Sequence, residues 1–213
     1  MVDSDSAVRR LTREAGNLLQ PYGFHGGDGR WVHLGEAGVA TIRRTRVQRT
    51  WTDGQQVLRF GLELTATPRA WWEFRTWRDT RHGLPATPLD LATGPGLLDT
   101  HGLPADCATP WTLRVDPTRP GRHAHPADLA TLRADLPRRL HTYARRALRL
   151  LDPLHHAHEL HATHPEAWEP FLVLLATQGP TPELDVHLAA ATDIVDVLAY
   201  LDERCPPRVP VVR

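Results

Sequence analysis

Lysine is absent from this chain: all 25 basic residues are arginine, set against 25 acidic residues. That excludes mechanisms built on a Schiff-base lysine, a phosphate-loop lysine or a kinase-type lysine. Cysteine is scarce as well. Cys107 and Cys205 are too few for a disulfide scaffold or a cysteine zinc site. Long hydrophobic runs are missing, since the longest, Phe171 to Ala176, falls far short of the ~20 residues a membrane-spanning helix requires. The opening residues Met1-Val2-Asp3-Ser4-Asp5-Ser6 are acidic and polar, so no signal peptide is expected and a cytoplasmic protein is the default reading. Several chemical signatures are missing too. There is no Gly-x-Ser-x-Gly elbow and no paired-carboxylate motif, and Gly26-Gly27-Asp28-Gly29 lacks the strand-then-helix setting of a phosphate loop. A formal charge of zero argues against a dedicated nucleic-acid binder.

The neutral total hides a division. Residues 1 to 149 carry 22 arginines against 15 acids, whereas residues 150 to 203 carry no arginine and 10 acids. The two regions either face different partners or face each other. We therefore expect three parts: an α+β domain over 1–150, an acidic, histidine-rich helical extension over 151–204 packed on it, and a tail over 205–213.

Periodicity supports that plan. Val8, Leu11, Ala15 and Leu18 recur at helical spacing behind Asp5-Ser6, which supplies a cap. Strands are expected at Arg30–Leu34 and Val39–Arg49, the second joined through the Asp53-Gly54 hairpin to the alternating run Leu58, Phe60, Leu62, Leu64. Trp111–Val115 is a further strand. Arg78 to Pro110 reads as a long irregular loop. Helices follow: one with the stripe Leu129, Leu132, Leu136, Leu140, Tyr143, interrupted near Pro137; one opened by Asp152-Pro153; one opened by Pro165; and a last one capped at Thr181 and running through Leu198. Strands grouped before helices indicate an α+β fold, an antiparallel sheet flanked by an N-terminal helix, with a C-terminal helical extension.

The segment Leu18-Leu19-Gln20-Pro21-Tyr22-Gly23-Phe24, the strands to Thr67, the pair Trp71-Trp72 and the helix Leu136 to Leu151 resemble the bacterial domain-of-unknown-function family DUF4304 over about the first 150 residues. That resemblance implies an α+β fold and no particular chemistry.

Three features are candidates for function. The run Thr41 to Arg49 places Arg43 and Arg49 on one strand face and Arg44 and Arg46 on the other, where a half-buried strand would alternate polar with apolar. Guanidinium forks bind carboxylate or phosphate through two parallel hydrogen bonds. With Trp51, Trp71 and Trp72 nearby in sequence, these arginines form the candidate binding surface for an acidic protein or an anionic small molecule. Second, His155, His158 and His161 sit at three-residue spacing on one helix and would take zinc, with a solvated polar helix as the alternative. No other cofactor is indicated. Third, the histidines of the acidic stretch could titrate against its carboxylates. The resulting reading is a non-catalytic binding or accessory protein, an immunity protein by genre. The alternative is a small enzyme acting on an anionic substrate, with an arginine clamp and a histidine as general acid or base.

Overall fold

The computed structural model describes residues 3–95, 102–118 and 122–204. Cys205 and the expected tail 205–213 lie outside them. The order of elements is α1 (Ser4–Leu19), β1 (His25–Gly27), β2 (Arg30–Gly35), β3 (Gly38–Arg44), β4 (Gln48–Thr52), β5 (Gln55–Phe60), β6 (Leu62–Pro68), α2 (Arg69–Arg81), α3 (Ala105–Ala108), β7 (Trp111–Arg114), α4 (Pro126–Arg149), α5 (Pro153–Thr163), α6 (Trp168–Leu175), α7 (Pro182–Ala190) and α8 (Val195–Arg204). The fold is α+β. Among the described residues there are two sheets, one with strand order β1-β2-β3-β6 and one with order β4-β5-β7. Among the described residues no helix is long and apolar enough to cross a membrane.

The chain forms two compact units. One comprises Met1–Leu34, Ala40–Thr65 and Leu98–Leu148, the other Gly35–Val39, Ala66–Leu97 and Arg149–Arg213. The helical extension is therefore not a unit by itself, because α2 belongs with it.

In the first unit, α1 buries Ala7, Val8, Leu11, Ala15 and Leu19. Its cap is Asp3, not Asp5-Ser6: the Asp3 carboxylate accepts from the amides of Asp5 and Ser6, each at 3.1 Å. The hydrogen bond from the Ser6 amide is the main reason its carboxyl titrates below the usual range. Asp3→Ala is expected to cost about 1 kcal/mol of stability, read by urea denaturation. The capping contribution is complete above the ordinary carboxylate pKa and fades as pH falls through the depressed value.

Asp-Gly pairs build two of the short hairpins. Asp53 and Gly54 have φ of 51° and 74° between β4 and β5, and Asp28 and Gly29 have 53° and 87° between β1 and β2. These are the left-handed angles of a type I′ turn. At the second pair the glycine-rich run is itself a hairpin. Its first residues form strand β1. In the smaller sheet Leu58 faces Leu113 and Phe60 faces Trp111 across β5 and β7, burying the apolar face that the alternation marked.

The expected strand Val39–Arg49 is not continuous. β3 ends at Arg44 and β4 begins at Gln48, in the other sheet. The break follows from pairing: Thr45 donates its amide to Gly61 O, and its hydroxyl accepts from the Gly61 amide at 2.8 Å, so local hydrogen bonds replace the ladder there. Pro137 does not interrupt α4. The expected last helix is two helices, α7 and α8, with Asp193 at φ 57° between them.

The second unit packs Trp71 and Phe74 of α2 in one apolar cluster with Phe171, Leu172 and Leu175 of α6, Leu184, Val197 and Tyr200. Arg78 of α2 reaches Glu169 at 2.6 Å, Arg81 reaches Glu203 at 3.1 Å, and Glu73 takes Arg204 at 2.7 Å. Part of the acidic stretch is thus neutralised by α2 within this unit.

Candidate anion pocket

Neutralisation divides the candidate arginines. Arg43 pairs with Glu63, and Arg49 with Asp5 at 2.7 Å. Both are spent on internal carboxylates. Arg46 is exposed in the segment between the strands. Arg44, at the end of β3, is different: among the described residues no ion pair holds it. Its Nη1 donates to Thr45 O at 3.2 Å, while its Nε is buried with no hydrogen-bond partner. The Arg44 amide donates to Gly29 O at 2.6 Å, and a Cβ on Gly29 would stand 3.2 Å from the Arg44 side chain. The turn glycine therefore makes room for this arginine as well as supplying the positive φ.

Arg44 lines a cavity of about 550 Å³ between α1 and the β1–β2 hairpin. Arg9 and Arg13 of α1 line it too, one helical turn apart and so on one face. Arg9 donates to Ser6 Oγ at 2.7 Å, and among the described residues neither arginine is in an ion pair. His25 and Asp28 of the hairpin add one imidazole and the pocket's one carboxylate. The apolar part of the lining is Val8, Phe24 and Trp31, which are 6, 0 and 1 % exposed. Gly16 on α1 admits Trp31: a Cβ there would lie 3.0 Å from the indole Nε1.

The sequence reading missed Arg9 and Arg13. Charged residues opposite an apolar helical stripe read as a solvated face, and nothing in the periodicity says that a hairpin stands against them. The signal that was available is the pair Asp28-Gly29, the same hairpin mark as Asp53-Gly54.

The tryptophans fall elsewhere. Trp51 is 72 % exposed on β4 of the first unit. Trp71 and Trp72 belong to α2 of the second unit, whereas the arginine segment belongs to the first. Trp71 is 5 % exposed in the apolar cluster, a correction to its place on a binding surface: its neighbours in the core, not a ligand, cover the ring. Trp72 donates its Nε1 to Thr87 O at 2.7 Å and lies beside a groove whose charges, Glu73 with Arg204 and Arg81 with Glu203, are already paired.

The three histidines do not converge. His155 pairs with Glu159 one turn along α5, and His158 with Glu183 at 3.4 Å. His161 stacks on Phe171 with ring centroids 4.5 Å apart and meets His187 edge-on. Three-residue steps turn each successive side chain to a new neighbour. Among the described residues no group of three histidine, cysteine or acidic side chains is placed to hold a metal ion.

Two arginines of α4 are likewise committed. Arg138 binds Asp106 at 2.5 Å and Asp135 at 2.7 Å, and Arg139 binds Asp135 while lying over the Trp111 ring at 4.8 Å. In the pocket between α1 and the hairpin three arginines without an ion pair among the described residues line one concavity. Comparison of the chain with known protein families, curated proteins and solved structures found no match.

Proposed function

We propose that this protein is a binding or accessory protein that takes an anionic partner, an acidic protein or an anionic small molecule, in the pocket formed by Arg9, Arg13 and Arg44. A cytoplasmic setting and an immunity-like role belong to the same proposal. The observation that carries it is the contrast in pairing: Arg43 and Arg49 are neutralised by internal carboxylates, whereas the three arginines that line one cavity are not. Three fixed cations, with Asp28 as the one carboxylate in the lining and Asp3 acting on Arg9 from the helix start, give a site whose field favours negative charge.

The test is titration calorimetry of the whole chain with inorganic pyrophosphate and with a poly-glutamate peptide. At least one of the two binds, and Arg44→Ala weakens that binding by about tenfold or more, the loss of one charge-assisted hydrogen bond. Absence of binding by both, or equal binding by an Arg9→Ala/Arg13→Ala/Arg44→Ala variant, overturns the proposal. His25 in the same lining favours the enzymatic reading, with the arginines as clamp and His25 as general acid or base. Phosphate release from pyrophosphate that is lost in His25→Asn would support that reading.

A further inference from the structure

We infer that the pocket is built for a compact polyanion, a small molecule with two neighbouring phosphate or carboxylate groups, and not for an acidic polypeptide. This rests on the anion-binding reading above and narrows it.

Spacing is the first argument. Arg9 and Arg13 are four residues apart on α1, which puts their Cβ atoms about 5–6 Å from each other. Two guanidinium forks so close match anionic groups on adjacent atoms of one molecule. Side chains along an extended acidic peptide alternate in direction and would present one carboxylate here at a time. Arg44 completes the set from the opposite wall, and its buried Nε has no hydrogen-bond partner within the protein.

Size is the second. A cavity of about 550 Å³ is the volume of a small-molecule site. An acidic protein would instead need a face of roughly 800 Å². The pocket's floor is also fixed in advance, because Phe24 and Trp31 are buried core side chains. A preformed site spares a small ligand the ordering cost that otherwise erodes affinity.

The third argument is the hairpin wall. β1 is the edge strand of its sheet, and the register is His25↔Val32, Gly26↔Trp31 and Gly27↔Arg30. In a two-residue hairpin the pair beside the turn exchanges both hydrogen bonds, which makes Gly26↔Trp31 a non-hydrogen-bonded pair. Gly26 departs from regular strand geometry, with φ 137°, and a Cβ there would strike the Arg30 carbonyl oxygen, so glycine is required at that position. Two glycines without side chains let an anionic oxygen come close to that main chain. Side chains could be accommodated at one of them: a Cβ on Gly27 would meet nothing within 4 Å. The bare wall is therefore not imposed by packing at that position.

Gly27→Leu uses that space. It places a side chain against the pocket without disturbing the fold, and Arg13→Gln removes one fork from an exposed helical face. Calorimetry of the whole chain is run with inorganic pyrophosphate, citrate, orthophosphate and a poly-glutamate peptide. Pyrophosphate or citrate binds about tenfold or more tightly than orthophosphate, the two arms separating phosphate from carboxylate chemistry, and poly-glutamate does not bind. Both variants weaken the bound polyanion about tenfold with the melting temperature of the free protein unchanged. Should Gly27→Leu lower that melting temperature, Arg13→Gln decides alone. Binding of poly-glutamate without pyrophosphate or citrate overturns this inference and leaves the anion-binding proposal standing. Binding of none overturns both. Polyanion binding that is equal in wild type and Arg13→Gln marks an adventitious ion only and overturns the inference.

Discussion

His156→Ala is expected to lower the unfolding free energy by about 3 kcal/mol, the largest single effect anticipated in this chain. His156 is 1 % exposed. Its Nδ1 faces the carbonyl oxygen of Leu150 at 2.8 Å, and its Nε2 faces that of Pro95 at 3.1 Å. The ring thus joins the start of α5 to the turn after α4 and to a segment some sixty residues earlier in the chain. A neutral imidazole carries one N–H, so alanine strands the carbonyl which that N–H serves, at a cost of about 1–3 kcal/mol unless a water enters. The substitution also leaves a hole where the imidazole stood. Chemical denaturation followed by circular dichroism measures the loss. His156→Gln, which keeps an amide donor, should recover part of it. A change below about 1 kcal/mol would mean that this carbonyl is satisfied in another way. In sequence this residue is one of five histidines in a ten-residue run. Burial alone separates it from the others.

Asp135→Ala carries the second large effect, about 2–3 kcal/mol. Asp135 accepts from Trp111 Nε1 at 2.9 Å and from Arg138 at 2.7 Å, and it also takes Arg139 Nε. One carboxylate therefore fixes β7 to α4 and orders two arginines. Its loss leaves the Trp111 indole N–H without its acceptor and the largely buried Arg139 guanidinium without its counter-charge, held only by the Cys107 and Thr109 carbonyls, so the penalty exceeds that of a surface ion pair. Asp135→Asn isolates the charge, since it keeps one acceptor oxygen and should cost less. The same groups give a pH signature. Burial pushes the Asp135 carboxyl up, but hydrogen bonds from Trp111 and Arg138 and the charge of Arg139 outweigh it and hold the group below the usual range. The paired hydrogen bonds of Arg114 do the same to Asp128. Both carboxyls are easier to ionise folded than unfolded. Their contribution is complete above the ordinary carboxylate pKa and is lost as pH falls through the depressed values. Wild-type stability should therefore decline below about pH 4, and that decline should be shallower in Asp135→Asn.

Much of the local structure was legible before folding. The pair Asp53-Gly54 specifies its turn because only left-handed angles at both positions match the strand twist, and Asp28-Gly29 carries the same information. Thr181 caps α7 through the Leu184 amide, and Asp152 caps α5 through that of His155, as residue type and position announce. The strand alternation of Leu58 and Phe60 was equally plain. Boundaries set by distant hydrogen bonds were not. The break after Arg44 depends on Gly61, sixteen residues away, and no local pattern reports it.

The arginines show the same division. Composition alone determined that every fixed cation in this protein is a guanidinium, able to bind a carboxylate or phosphate through a planar fork, and that charge is unequal along the chain. Those are properties of covalent chemistry and survive any fold. Which arginines remain uncompensated was decided by tertiary structure, because an ion pair depends on separation in space. Arg43 and Arg44 are neighbours in sequence. Strand geometry sends them to opposite faces, one to Glu63 and the other to the cavity beside α1, where Arg9 and Arg13 meet it.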